Sequence, residues 1–551
     1  MAWYDSAVFY HMYPLGLCGC AHENMGEAEN HFDKLDQWAK HAHEIGCTAI
    51  YIGPLFESGS HGYDTIDYRM VDRRLGTNEA FREFVKKCHD MQMHVIVDGV
   101  FNHTGRDFFA MKDIREKRER SPYCGWYCNI NFGENNEYND GFSYDNWGGY
   151  NLLAKLNLQN PEVKQYHFDT VRFWVQEFDI DGIRLDAADV LDFQFMRELR
   201  GVANTVKPEF WLMGEVIHGD YSRWANADTL HSVTNYELHK GLYSGHNDHN
   251  YFEIAHTIQR LQGLVGDTRL YTFTDNHDVA RLASKLQNKE HLYPVTMLLY
   301  TVPGIPSIYY GSEFGIEGQK ERGSDWNLRP NLELSQFDVH AELPQLVTKL
   351  GKLKQKFPEL TYGTYQQLML TNRQFVFARV LDGKAVVVLL NNDDAPAHIE
   401  VNLPVDADHA WNLLSMEEKS EEEKREEEAQ WQKEAQERFG QLQGALQEKS
   451  GQLLGAAGEI VAKAGEIREL VASLTAEQNT AQVLQQAMLA LHESMENMQR
   501  TTQEFEKTTG QKLQKETPVT EAMCKQFEIR DGRLIVDVPA NRGVLTYLCK
   551  Q

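Results

Sequence analysis

Gly182-Ile183-Arg184-Leu185-Asp186 is a short, mostly apolar run that ends in an acid, and Phe210-Trp211-Leu212-Met213-Gly214-Glu215 is another. Both have the length and composition of buried strands. On a strand, residues two apart share a face, so Arg184 and Asp186 point the same way. The guanidinium is then placed to keep the Asp186 carboxylate ionised. Glu215 follows apolar residues that can desolvate it and raise its pKa. A charged acid beside a protonated one is the pairing that cleavage of a glycosidic bond uses. For these two runs taken alone, ordinary acids at strand ends are an equally good reading.

Two more runs decide between the readings. Val95-Ile96-Val97-Asp98-Gly99-Val100-Phe101-Asn102-His103 comes before, and Tyr271-Thr272-Phe273-Thr274-Asp275-Asn276-His277-Asp278 comes after. Each is an apolar or β-branched run that ends in polar residues. The four runs, in this order, resemble the signature regions of the α-amylase family of glycoside hydrolases. The matching positions are Asp98, Asn102 and His103; Arg184 and Asp186; Glu215; His277 and Asp278. Lys155-Leu156-Asn157 with Pro161 resembles a fifth, weaker segment, and Gly62-Tyr63-Asp64 the segment whose Tyr stacks beneath the sugar. The resemblance covers roughly residues 1–410, resumes near 520, and is to the cyclomaltodextrinase, neopullulanase and maltogenic-amylase branch.

That resemblance implies roles. Asp186 is the expected nucleophile, Glu215 the acid and then the base, and Asp278 the acid that favours the distorted ring of the transition state. Tyr63, Asp98, His103, Arg184 and His277 are the expected substrate-site residues. Where the family's amylases often place Lys-His after the nucleophile, this chain has Ala187-Ala188-Asp189-Val190, which points away from endo-acting α-amylase behaviour. His218 is the candidate for the neighbouring sugar position instead. Asn102 is a calcium ligand in some members, but its partner ligands find no match here. No metal site is therefore assigned, no cofactor is required, and calcium is only an allowed ligand.

The rest of the chain fits around these runs. At 551 residues it is too long for one core, so two or three domains are expected. Ala7–Tyr10, Thr48–Ile52, Val95–Asp98, Ile183–Asp186, Trp211–Glu215, Val233–Tyr236, Leu270–Thr274 and Ile305–Tyr310 read as strands. Amphipathic stretches such as Phe32–Ala42 and Phe81–Met91 lie between them. Alternation of this kind indicates an α/β fold, a (β/α)8 TIM barrel over residues 1–360, whose active site sits at the C-terminal ends of the strands. Residues 104–160 are too long for a plain loop and read as a small B subdomain, with Trp126, Tyr127, Tyr138, Tyr144, Trp147 and Tyr150 available for its core or for the groove. Beyond residue 361 the period changes to two. Asp382-Gly383 and Asp531-Gly532 mark hairpin turns of an antiparallel β-sandwich that runs to 551.

Residues 416–516 break that pattern. The segment contains no Pro or Tyr and carries −8 of the chain's net −26. Leu484, Met488, Leu491, Met495 and Met498 step by four and three, as in a coiled-coil seam. Thr475-Ala476-Glu477-Gln478 reads as a capping box. A helical hairpin or bundle inserted in the sandwich is expected, able to bind a protein partner or to self-associate.

Composition narrows the class of partner. The net charge argues against nucleic acid and anionic membranes. No apolar run is long enough to span a bilayer, and Met1-Ala2-Trp3-Tyr4 does not open a signal peptide. Cys18, Cys20, Cys47, Cys88, Cys124, Cys128, Cys524 and Cys549 form no paired framework, so free thiols in a reducing cytoplasm are expected. The expected function is hydrolysis of α-1,4-linked maltooligosaccharides or cyclodextrins. The alternatives are a transglycosylase using the same residues and a non-catalytic scaffold.

Overall fold

In the computed structural model, described for residues 2–416, 433, 444, 447–448, 451–452, 454–466, 469, 496 and 524–550, eight parallel strands form the first sheet. They are β1 (Phe9–Met12), β2 (Ala49–Ile52), β3 (His94–Gly99), β4 (Gly182–Leu185), β5 (Trp211–Gly214), β6 (Ser232–Val233), β7 (Tyr271–Phe273) and β8 (Ile305–Tyr309). The spatial order is β6-β5-β4-β3-β2-β1-β8-β7. A parallel bridge between Thr234 and Tyr271 joins the two edges and closes the barrel. The strands are buried almost throughout, as parallel strands covered on both faces must be. Phe9, Trp211 and Tyr271 fill the barrel floor, with the Phe9 and Trp211 rings stacked 5.1 Å apart.

The helices between strands start where a side chain satisfies their free N–H groups. Thr77 accepts from Ala80 N–H at 3.1 Å ahead of α2 (Asn78–Asp90), which follows α1 (Phe32–Glu44). Asn160 caps α3 (Pro161–Phe178), with Pro161 at its first position, and Asp192 caps α4 (Phe193–Val206). Capping also corrects one boundary. Val233–Tyr236 was expected to be a strand, but Asn235 accepts from Leu238 N–H at 3.1 Å and turns Tyr236 into the first residue of α5 (Tyr236–Asn247).

Residues 104–160 form a small sheet in which His103–Thr104 pairs with Tyr150–Lys155, and that strand with Asn146–Trp147. The C-terminal region has two antiparallel sheets. One is ordered β9 (Thr364–Leu370), β10 (Gln374–Leu381), β11 (Lys384–Asn391), β16 (Arg542–Cys549) and β13 (His409–Asn412). The other is ordered β12 (Ala397–Asn402), β15 (Arg533–Val538) and β14 (Glu528–Arg530). Val376, Val387, Leu389, Ile399, Val401, Leu534 and Val536 pack between them. The β10–β11 turn has Asp382 at φ 49° and Gly383 at φ 76°, the left-handed pair that a two-residue hairpin needs.

Met416–Cys524 forms a separate compact unit. Residues 454–466 within it are helical. The rest of the expected hairpin, including the capping box and the Leu484–Met498 seam, lies outside the described residues. The chain leaves and rejoins the sandwich at one place. Asn412 N–H donates to Lys525 O at 2.7 Å, and Lys525 N–H to Ser415 Oγ at 2.9 Å. Among the described residues no helix is long and apolar enough to cross a membrane.

Because its ends are hydrogen-bonded neighbours, the insertion should be replaceable. A chain in which a short Gly-Asn turn replaces residues 417–523 is expected to keep the near-ultraviolet circular dichroism of the barrel and to change stability by no more than about 1 kcal/mol. Loss of the cooperative melt in that variant would contradict this division of the chain.

Candidate active site

Backbone hydrogen bonds carry the ladder one step past the strand ends and seat the acids there. Asp186 N–H donates to Gly99 O at 3.1 Å, and Glu215 N–H to Leu185 O at 2.9 Å. Asp98 lies within β3, so three carboxylates rise from three adjacent strands on the C-terminal side. Arg184 of the middle strand meets all of them. Its Nη1 lies 2.8 Å from Asp98 Oδ1 and 2.9 Å from Asp186 Oδ1, and its Nη2 lies 2.9 Å from Glu215 Oε2. Close backbone approach makes room for this. A Cβ on Gly53, at the end of β2, would come within 2.4 Å of Asp98 Oδ2. One on Gly214 would meet Leu230 at 2.4 Å and Ala188 at 2.8 Å.

The remaining donors around the cluster are specific. Asp98 Oδ2 accepts from the hydroxyls of Tyr51 at 2.9 Å and Tyr63 at 3.2 Å. Glu215 Oε2 also accepts from the backbone N–H of Ala187 at 2.9 Å, and Ala187 adopts a left-handed conformation with φ 46°. Asp186 Oδ2 faces His103 Nε2 at 4.0 Å. That nitrogen is buried with no hydrogen-bond partner, while His103 Nδ1 lies 3.2 Å from Asn102 Nδ2.

A second group of residues stands opposite. Asp278 Oδ2 lies 3.1 Å from His277 Nε2, and Oδ1 lies 2.9 Å from Arg329 Nη2. The Tyr63 hydroxyl also contacts His277 Nε2, and the two rings stack at 5.5 Å. Arg329 donates from Nε to His277 O at 3.0 Å and from Nη1 to the Tyr13 hydroxyl at 3.2 Å. Eight of the nine residues named from the sequence thus meet around one centre. His218 stands beside it, exposed, sharing an open cavity of about 260 Å³ with Ile217, Tyr236 and Lys240.

The electrostatics correct one expectation. Arg184 was expected to hold Asp186 ionised, with Glu215 the raised acid. It is shared, and burial pushes both carboxyls up, Asp186 well above its ordinary range, with Arg184 opposing the rise in each. Asp98 is also raised by burial, against Arg184, Tyr51 and Tyr63. One cation faces three buried carboxylates, and burial raises all three above their ordinary values. Burial lowers His103 to about 3 and takes His277 well below its ordinary value, which favours the neutral imidazole in each.

Tyr51, Tyr13, Arg329 and the N–H of Ala187 were missed by sequence reasoning. Tyr51, Tyr13 and Arg329 belong to no motif and reach the site by tertiary packing, while Ala187 follows Asp186 directly and its N–H acts through its left-handed backbone. For the allowed calcium, Asn102 is buried with its amide turned to His103. Among the described residues no group of three or more His, Cys, Asp or Glu side chains is placed to hold a metal.

Comparison with known proteins identifies the family. The alpha amylase catalytic domain family matches residues 20–443, and the chain belongs to that family of glycosidases. The cyclomaltodextrinase of Thermoanaerobacter pseudethanolicus is 32% identical over 388 residues, which is 68% of this chain and 65% of that protein. The intracellular maltogenic amylase of Bacillus subtilis is 29% identical over 386 residues, 68% of this chain and 63% of that one. The chain therefore spans a little under two thirds of the length of these curated relatives. A solved cyclomaltodextrinase superposes with a TM-score of 0.68 at 26% identity, over 74% of this chain and 73% of the other.

The raised carboxyl of Asp186 makes a stability prediction. A carboxyl whose folded pKa lies above its unfolded value binds extra protons when folded, so its contribution is present at low pH and lost as pH rises through the folded pKa. Asp186→Asn removes that loss. The variant is expected to melt at a higher temperature than the parent at about pH 7 and to match it near the ordinary Asp value of 3.8. A lower melting temperature at neutral pH would contradict the burial argument.

Proposed function

We propose that the chain is a retaining hydrolase of α-1,4-glucosidic bonds in short maltooligosaccharides or cyclodextrins. The observation that carries the reading is the grip of Arg184 on Asp98, Asp186 and Glu215, because it fixes which oxygens remain free. Arg184 holds Asp186 Oδ1, leaving Oδ2 to attack the anomeric carbon. Glu215 Oε2 accepts from both Arg184 and Ala187, leaving Oε1 to carry the proton. In the first step Asp186 Oδ2 bonds to C1 as the C1–O4 bond breaks, and Glu215 gives its proton to the departing O4. In the second, Glu215 takes a proton from water, whose oxygen displaces Asp186 and restores the α configuration.

The other residues act on the sugar bound between the two groups. Asp278, held by Arg329 and His277, would bond ring hydroxyls and favour the flattened ring. The unpartnered Nε2 of His103 is a donor waiting for a hydroxyl beside Asp186. His218 would meet the next sugar on the side of Glu215. The names of the relatives support the substrate class, and the word intracellular in one of them supports a cytoplasmic location.

Asp186→Asn is expected to abolish hydrolysis of maltotriose and cyclodextrin without loss of fold, a drop of at least about 10⁴-fold. Turnover by that variant above contamination would reject the nucleophile. Chromatography of the products separates hydrolysis from transfer to a second sugar. Proton NMR at early times is expected to show the α-anomer first; a β-anomer would reject double displacement.

A further inference from the structure

The aromatic residues of the 104–160 segment sort into distinct environments. Trp126, Tyr127 and Tyr144 are buried, and each has a hydrogen-bond partner inside the segment or at its base: Glu162, Thr104 and the Asn151 carbonyl. Tyr138 is exposed but carries the Arg106 guanidinium 3.8 Å from its ring centroid. These four are accounted for by the subdomain's own stability. Trp147 is not. It is 40% exposed, a large apolar surface left open to water.

Its setting is built. Trp147 pairs with Tyr150 across a turn in which Gly148 and Gly149 have φ of 64° and 86°. The far end of this hairpin is anchored on the strand that carries His103, through the His103–Lys155 and Thr104–Ala154 pairs. The Tyr150 ring lies over the turn, where a Cβ on Gly148 would be 3.3 Å from it. The Trp147 ring instead turns toward His103, with centroids 6.0 Å apart and planes inclined at 37°. His103 is the residue whose unpartnered Nε2 faces Asp186. An open indole is thus held next to an unused donor at the reacting centre.

We propose that Trp147 is a specificity-determining platform on which a glucosyl unit of the bound oligosaccharide stacks, on the His103 side of Asp186. The occupant is a neutral pyranose. The tip Asn146-Trp147-Gly148-Gly149-Tyr150-Asn151 carries no charge, and the platform is continuous with the hydroxyl-binding donor of His103. Indole offers a wide, rigid apolar face with two rotatable bonds, so little entropy is lost when a sugar ring covers it. Sites for small polar ligands combine such faces with a few placed donors. The inference rests on the proposed glucan-binding function, and it singles out one residue of the hairpin that the family motifs do not include.

The test uses the full-length Asp186→Asn protein, which should bind maltooligosaccharide without cleaving it. Titration calorimetry with maltotetraose is expected to show about tenfold weaker binding when Trp147→Ala is added, with Trp147→Phe recovering most of the affinity. Quenching of tryptophan fluorescence on glucan binding should also shrink in the Trp147→Phe protein, a readout that a merely structural role would not move. Unchanged far-ultraviolet circular dichroism and melting temperature of the hairpin variants control for folding. Equal affinity of the Trp147→Ala and parent proteins would overturn the platform and leave the active site standing. Absence of any glucan binding by Asp186→Asn itself would overturn the active-site reading and this one with it.

Discussion

One buried guanidinium meets three carboxylates delivered by three neighbouring strands, and much of the barrel's upper end is arranged to allow it. Arg184 is fully enclosed, and so is Asp98. Moving such charges out of water is costly unless each finds a partner. The register of β3, β4 and β5 supplies the partners, since Asp98 pairs in register with Arg184 itself. Glycine at positions 53 and 214 admits the close approaches. The remaining imbalance, more acid than base, leaves the carboxyls raised above their ordinary values. A raised carboxyl beside a carboxylate oxygen left free is suited to acid-assisted displacement. The same imbalance is a stability cost that the fold carries for its chemistry.

The parts of this arrangement that were legible in the sequence are the local ones. Each acid ends an apolar run, so its strand, its face and its place at the C-terminal rim follow from periodicity. Hairpins at Asp382-Gly383 and Asp531-Gly532 were legible for the same reason, a two-residue backbone requirement written in residue type. What the sequence hid was long-range. Arg329 reaches Asp278 from a segment beyond β8, and Tyr51 reaches Asp98 from β2; neither has a local pattern that marks it. The sharing of Arg184 was hidden too, because Glu215 joins it only through the β4–β5 pairing. The β6 boundary failed where a cap overruled a β-branched run, at Asn235. Among Trp126, Tyr127, Tyr138, Tyr144, Trp147 and Tyr150, residue type could not separate core from groove; burial and partners could.

The sandwich supplies no residue to the reacting centre. Every residue placed at the reacting centre belongs to the barrel or to the loops that leave its strands. The sandwich meets the barrel through both acids and backbone acceptors, and Arg542 lies 2.8 Å from Glu290 Oε2 and 3.2 Å from Glu342 Oε1. The buried Arg379 donates to the carbonyls of Thr301, Leu360 and Gly363. The unit Met416–Cys524 enters and leaves beside Ser415 and Lys525, on the sandwich. Its point of attachment places no demand on the register of the barrel strands, which is why a catalytic barrel can carry it.

The central claim is that Asp186 Oδ2, the oxygen that Arg184 leaves free, forms a covalent bond to the sugar. The most direct measurement is to trap that bond. The Glu215→Gln protein, incubated with a fluorinated α-glucosyl fluoride whose intermediate hydrolyses slowly, is digested and mapped by mass spectrometry. The account predicts one glycosyl adduct, on the peptide containing Asp186 and on that side chain. An adduct on Glu215's replacement or on Asp278, or release of fluoride with no adduct at any time, would contradict it.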